Sequence, residues 1–296
     1  MSPGLKNKNG RIKSPFFSPF IKGGHRGIFI CLIFYFSLST PHLFAQTKPL
    51  SFLFIYPGGE GSDADAHPFI EAFLNDLSKK TGMHFVGKYF EEADEALETI
   101  RETKPQMGIV SLAFYLQEQN TVPMEILAKT ETLGSGGTNE YTLFSHAGAL
   151  SPGTYDVWCP EPLGQIFFEK IILKNISLPA GVHLKIKPSY GILTTLKRIS
   201  SGELKALALL DSHDTQSLEK ISLPWVKNLK KIHTSITLPS SPVVSFGFMQ
   251  ELTRKQIIAG LLNQRGSKPL SDLRLKGFLT AEKQEYTSLL QMLEGN

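Results

Sequence analysis

Apolar and polar positions alternate with two different periods along this chain, and the alternation repeats. The run KPLSFLFIYP predicts a strand. HPFIEAFLNDLSKKTG predicts a helix with Phe69, Ile70, Phe73, Leu74 and Leu77 on one face, Pro68 in its first turn and Gly82 as its stop. HFVGKYF reads as a strand, EEADEALETIRETKP as a helix opening on acids, and MGIVSL as a buried strand. This is a βαβαβ unit. Short strands at MEILAKT and EYTLFS flank the loop LGSGGTN, and after SPGT the alternation restarts. YDVWC, LGQIFFEKIILKN, HLKIK, YGILTTLKRISSG and KALALL form a second strand-helix-strand-helix-strand unit of similar size. Proline-broken extended segments follow in LPWVKNLKKIHTSITLPSSPVVSFGF, and helices at LTRKQIIAGLLNQ and AEKQEYTSLLQML close the chain.

The predicted fold class is therefore α/β, with two Rossmann-like lobes. Parallel sheets bind at the carboxyl ends of their strands. In the first unit that edge collects the loop YPGGEGSDADAHPF, the segment Phe90 to Glu92, and Ser111 to Tyr115. The domain division is 46–147 for the first part of lobe 1, 148–236 for lobe 2, and 237–296 for the return to lobe 1 and the C-terminal helices.

Charge changes how the first 45 residues read. The formal net charge of the 296 residues is +4, but six of the bases (Lys6, Lys8, Arg11, Lys13, Lys22 and Arg26) lie in residues 1–45, which hold no acid. The remainder carries 25 bases against 27 acids, which excludes a broad basic footprint for nucleic acid. The basic start, the apolar run GIFICLIFYFSLS and the small residues before Gln46 together predict an export signal with a long n-region and a periplasmic mature protein. Cys31 lies in that signal. Cys159 is then the one remaining cysteine, so neither a disulfide within the chain nor a cysteine-rich metal site is expected.

Candidate chemistry is sparse. The opening loop has Gly-Ser-Asp where a phosphate-binding Walker loop needs Gly-Lys-Ser/Thr, and it lacks the third glycine of a dinucleotide fingerprint. His67, His84, His146, His183, His213 and His233 are scattered, and no G-x-S-x-G elbow is present. No enzyme activity, cofactor or metal is expected. Cys159 reads as a core residue, and Asp211, directly after KALALL, reads equally as a ligand contact or a helix cap.

The run KKTGMHFVGKYFEEADEALETIRETKPQMGIVSLAFYL resembles the first lobe of the solute-binding proteins of ABC transporters in the phosphate, phosphite and phosphonate family, a type 2 periplasmic binding protein family. ALALLDSHDTQSLEK is similar to that family's second-lobe strand, acid and helix, and IHTSITLPSSPVV to its return segment. The resemblance implies a ligand cleft between the two lobes and two hinge strands joining them, in a monomer that closes over a small-molecule ligand and delivers it to a membrane permease; the hinges are expected near residues 145–155 and 234–246, where Pro or Gly flanks extended chain. A sensor receptor of the same fold is the alternative, and an exported hydrolase a more distant one. The implied ligand-binding residues are Ser62, Asp63, Tyr89, Phe90, Ser111, Tyr115, Glu161, Gln165, Tyr190 and Asp211. Where the family has a hydroxyl-rich turn to hold an anion, this chain has CPEPLGQ, with Glu161 adding negative charge. With no Lys or Arg between Tyr56 and Ile70 or between Gly148 and Glu169, the expected ligand is neutral, zwitterionic or amine-bearing.

Overall fold

The computed structural model describes residues 48–57, 62–146, 148–161, 163–189 and 191–295. The expected export signal, Glu60 in the opening loop, and Tyr190 lie outside them.

Strand β1 (Leu50–Ile55) pairs in parallel with β2 (Phe85–Phe90) on one side and β3 (Met107–Val110) on the other. Between them run helices α1 (Asp63–Thr81) and α2 (Ala93–Thr103). Helix α1 begins four residues ahead of the predicted start, so Pro68 sits inside it. The cause is local. Ser62 and Asp65 form a capping box, the Asp65 carboxylate accepting from the Ser62 backbone N–H at 2.9 Å, and this turn nucleates the helix before the proline is reached. Gly82 ends it at φ +70°, donating to the Ser78 carbonyl at 2.8 Å, a left-handed stop that suits glycine. After β3, Ser111 caps the short helix α3 (Leu112–Glu118), and β4 (Glu125–Thr132) leads out of the first sheet.

The crossing between sheets is made at β5 (Thr138–Asn139), which pairs antiparallel with β11 (Leu238–Pro239) in a two-stranded ribbon. These are the hinge strands. The expected span 234–246 contains the returning one, but the outgoing one lies earlier than 145–155. Strand β6 (Thr142–Ser145) already belongs to the second sheet, so the sheet changes ahead of residue 147. A four-residue strand carries no sign of which sheet it joins; its pairing with β9 (Leu207–Leu210) and β10 (Lys230–Thr234) decides.

The second sheet is completed by β7 (Gly153–Cys159) and β8 (Val182–Pro188), joined by α4 (Gln165–Phe167), which runs directly into a π-helical turn at Phe168–Ile172. Helices α5 (Ile192–Ser200) and α6 (Ser212–Lys220) flank β9. The chain then returns through β12 (Pro242–Ser245), inserted antiparallel between β3 and β4. Helices α7 (Glu251–Leu262) and α8 (Lys268–Asp272), strand β13 (Leu275–Leu279) and helix α9 (Lys283–Glu294) follow. Strand β13 was not expected. It is short and holds a central Gly277, and pairing along β4 makes it a strand.

The two sheets have orders β2-β1-β3-β12-β4-β13 and β8-β7-β9-β6-β10. The first five strands of each follow one plan: a parallel trio, then a strand inserted antiparallel, then one more. In each lobe the inserted strand is the one that arrives across the hinge, which interlocks the two lobes. Phe52, Phe54, Ile70, Phe73 and Leu77 fill one face of the first sheet, with Phe73 edge-on to Phe52 and Phe54 at 5.6 and 5.7 Å. Phe144, Leu196, Ile199 and Leu218 fill the outer face of the second. A third apolar cluster runs from Val110 and Phe114 through Tyr141 to Val157 and Phe168, so it is shared by both lobes.

Candidate functional site

The carboxyl ends of both parallel trios converge. From the first sheet come Tyr56 and Pro57 after β1, Glu91 and Glu92 after β2, and Ser111 after β3. From the second come Pro160 and Glu161 after β7, Pro188 at the end of β8, and Asp211 after β9. Pro57, Glu91, Glu92, Ser111, Phe114, Pro160, Glu161 and Pro188 line a cleft of about 210 Å³ between the lobes. A larger groove of about 670 Å³ runs along the open edge of β8, lined by Thr154, Leu173, His183, Lys185 and Lys187. It lies on one lobe alone and gathers no strand ends, so the interlobe cleft is the better candidate despite its size.

Glu161 is the centre of this cleft. Its Oε2 accepts from the Tyr141 phenol at 2.5 Å, and Ser111 lines the same space from the opposite lobe, its side-chain oxygen accepting from the Phe114 N–H at 3.1 Å. Burial pushes the Glu161 carboxyl up to about 6. The Tyr141 hydrogen bond opposes the shift, and the negative Asp211 adds to it. Around it, burial raises the phenols of Tyr141 and Tyr56 and the Cys159 thiol, and the Glu161 charge reinforces all three shifts. Tyr56 hydrogen-bonds the Ser241 side chain. Further along the lobe interface, a methyl group on Gly164 would meet the Gln117 amide at 2.8 Å, so glycine there permits a close approach between lobes.

No base offsets these acids. None of the residues lining the cleft is Lys or Arg, and the residues of the adjoining loops outside the description (58–61, 162 and 190) bring none in sequence. The nearby Lys88 is engaged elsewhere, its ammonium 2.8 Å from Glu95 and 4.4 Å from the Phe90 ring.

The expected site residues do not all come together. Ser111 and Glu161 meet in the cleft, and Tyr89 stands next to it, its phenol raised by burial and by Glu91. Asp211 caps α6, accepting from the Asp214 N–H at 2.8 Å, while its charge reaches Glu161, Tyr141 and Cys159. Ser62 and Asp63 are exposed and engaged locally, Ser62 in its capping box and Asp63 accepting from the Tyr89 backbone N–H at 2.8 Å. Phe90 and Tyr115 are core residues, Tyr115 edge-on to Tyr286 at 5.6 Å. Gln165 is a correction. Its amide turns to the outer edge of β8, donating to the Leu184 carbonyl at 3.0 Å and accepting from the Ile186 N–H at 3.1 Å. A glutamine amide presents one donor and one acceptor at the spacing of a missing strand, and the unpaired edge of β8 takes both. Tyr141 was missed. It starts an ordinary short strand, and nothing in NEYTLFS distinguishes a cleft phenol from a core one.

No family model and no curated protein matches this sequence. Solved structures do. XAC2383 from Xanthomonas citri, bound to chloride ion, aligns with TM-score 0.62 at 13% identity over 84% of this chain and 98% of its own. PhnD1 from Prochlorococcus marinus, in complex with methylphosphonate, aligns with TM-score 0.60 at 13% identity over 84% of this chain and 98% of its own. A binding protein component of an ABC phosphonate transporter from Pseudomonas aeruginosa gives TM-score 0.57 at 15% identity over 83% and 86%. At such identities the likeness is one of fold, an arrangement of two α/β lobes connected by a two-stranded ribbon.

Proposed function

We propose that this chain is the extracytoplasmic solute-binding component of an ABC-type importer, closing over a small ligand in the interlobe cleft and delivering it to a membrane permease. The observation that carries this reading is the convergence of strand ends from two similarly ordered sheets on one cleft, with a two-stranded ribbon as the connection between them. Such a ribbon absorbs rotation in a few backbone dihedrals while each sheet stays rigid, the geometry of hinge closure. The likeness to a phosphonate-transporter component and to a methylphosphonate-bound protein supports the same reading.

Lobe 1 in this reading comprises β1 to β4 with the segment from β12 onward, and lobe 2 runs from β6 to β10. The protein works outside the cytoplasm as a monomer and catalyses nothing. Ser111, Glu161 and Tyr89 are its ligand-facing residues, with Asp211 acting through its charge. A thermal-shift screen of the purified protein against small amines, neutral polyols, carboxylates and phosphonates tests this. A solute that binds the folded state raises the melting temperature by mass action. The expected result is a saturable rise with one chemical class; no rise with any class would defeat the reading.

A further inference from the structure

We propose that the cleft selects a small organic ammonium solute and that Glu161 sets this choice, its carboxylate held by the Tyr141 phenol where the two lobes meet, without a basic partner. The inference rests on the solute-binding reading above and concerns the same cleft.

A carboxylate partly withdrawn from water is stabilised by an opposite charge as well as by filled lone pairs. Tyr141 fills a lone pair but carries no charge. Asp211 adds a second negative charge, and Glu91 and Glu92 line the same space. The walls are otherwise Pro57, Ala93, Phe114, Pro160 and Pro188, which suit methylene groups. What is missing is one cation, and the space for it is the cleft itself. Its volume of about 210 Å³ falls below the range of roughly 300–1,000 Å³ typical of drug-sized ligands, so the solute has few heavy atoms. An anion would instead meet Glu161, Glu91 and Glu92, and no Lys or Arg lines the cleft to hold it.

The test uses solutes of similar size and different charge. Methylammonium, ethanolamine and trimethylammonium are the cations, ethylene glycol the neutral probe, and glycolate and methylphosphonate the anions, each titrated by calorimetry into the purified protein. At about pH 8 at least one amine binds and the neutral and anionic probes do not. At about pH 5 that affinity falls at least about tenfold, because the carboxyl is protonated. Of the groups facing Glu161, Tyr56, Tyr141 and Cys159 are raised and stay neutral across this range, while Asp211, Glu91 and Glu92 share the sign of Glu161. Glu161→Gln weakens the amine at least about tenfold and removes the pH step. Tyr141→Phe removes a donor that favours the charged carboxylate, so it moves the midpoint of the pH step upward, and it decides the matter if Glu161→Gln does not fold. Tighter binding of glycolate or methylphosphonate than of every amine would overturn the ammonium choice and leave solute binding standing. An unshifted midpoint in Tyr141→Phe, or unchanged amine binding in folded Glu161→Gln, would overturn the role of Glu161. Silence from every probe would defeat both readings.

Discussion

Glu161 shows how one side chain joins local and global structure. Sequence places it two residues past an apolar strand, and only the fold brings it within reach of Tyr141 and Ser111. Its carboxyl is raised in the folded state to about 6 against an ordinary 4.5, so the native protein holds the proton more tightly than the unfolded chain does. The stability from this group is complete below about pH 4.5 and is lost as pH rises through about 6, a fall of at most about 2 kcal/mol. Glu161→Gln, neutral at every pH, removes this fall. Urea melts of both proteins at intervals between those limits check it, and parallel curves would contradict the assignment.

At the scale of elements, β8 is the informative case. It is the outer strand of its sheet, and its exposed face carries His183 and the charges of Lys185 and Lys187, which discourage pairing with another chain. Gln165 adds a second guard by holding the backbone of Leu184 and Ile186. Gln165→Ala is expected to leave the cleft unchanged and lower stability by about 1 kcal/mol. It should also raise the tendency of the protein to self-associate, which light scattering at increasing concentration measures. A loss of solute binding with no change in association would return Gln165 to the cleft.

At the scale of the whole molecule, helix α9 is expected to limit how far the lobes open. Its Glu285 pairs with Lys129 of the first sheet at 2.8 Å, and the Tyr286 hydroxyl donates to the Ser240 carbonyl beside the hinge at 2.9 Å. Its far end reaches the second lobe, where Lys170 donates to the Leu293 carbonyl and the Lys174 ammonium lies 3.2 Å from the Met292 sulfur. A helix attached to both lobes opposes their separation, so hinge motion should be of small amplitude. Small-angle scattering should show a modest compaction with a bound solute, and a larger radius of gyration in solute-free protein once Lys170→Ala and Lys174→Ala release the far end. Unchanged dimensions in that double variant would show that the helix does not restrain opening.

The periodic pattern determined the two βαβαβ units, most helix positions, and the edge at which strand ends would gather, because side-chain period and apolar burial are local consequences of the chain. It also determined the acidity of that edge, since the absence of Lys and Arg from its loops is a property of composition. The tertiary structure decided the rest. Strand β6 joined the second sheet, β12 entered the first, and β13 became a strand at all through pairing with residues more than 60 positions away, where short runs carry no address of their own. Gln165 and Glu161 stand four residues apart in one loop-to-helix segment and read alike as polar candidates. The direction each side chain takes, one to an open strand edge and the other to the Tyr141 phenol in the cleft, depends on which unsatisfied groups the completed fold sets beside it.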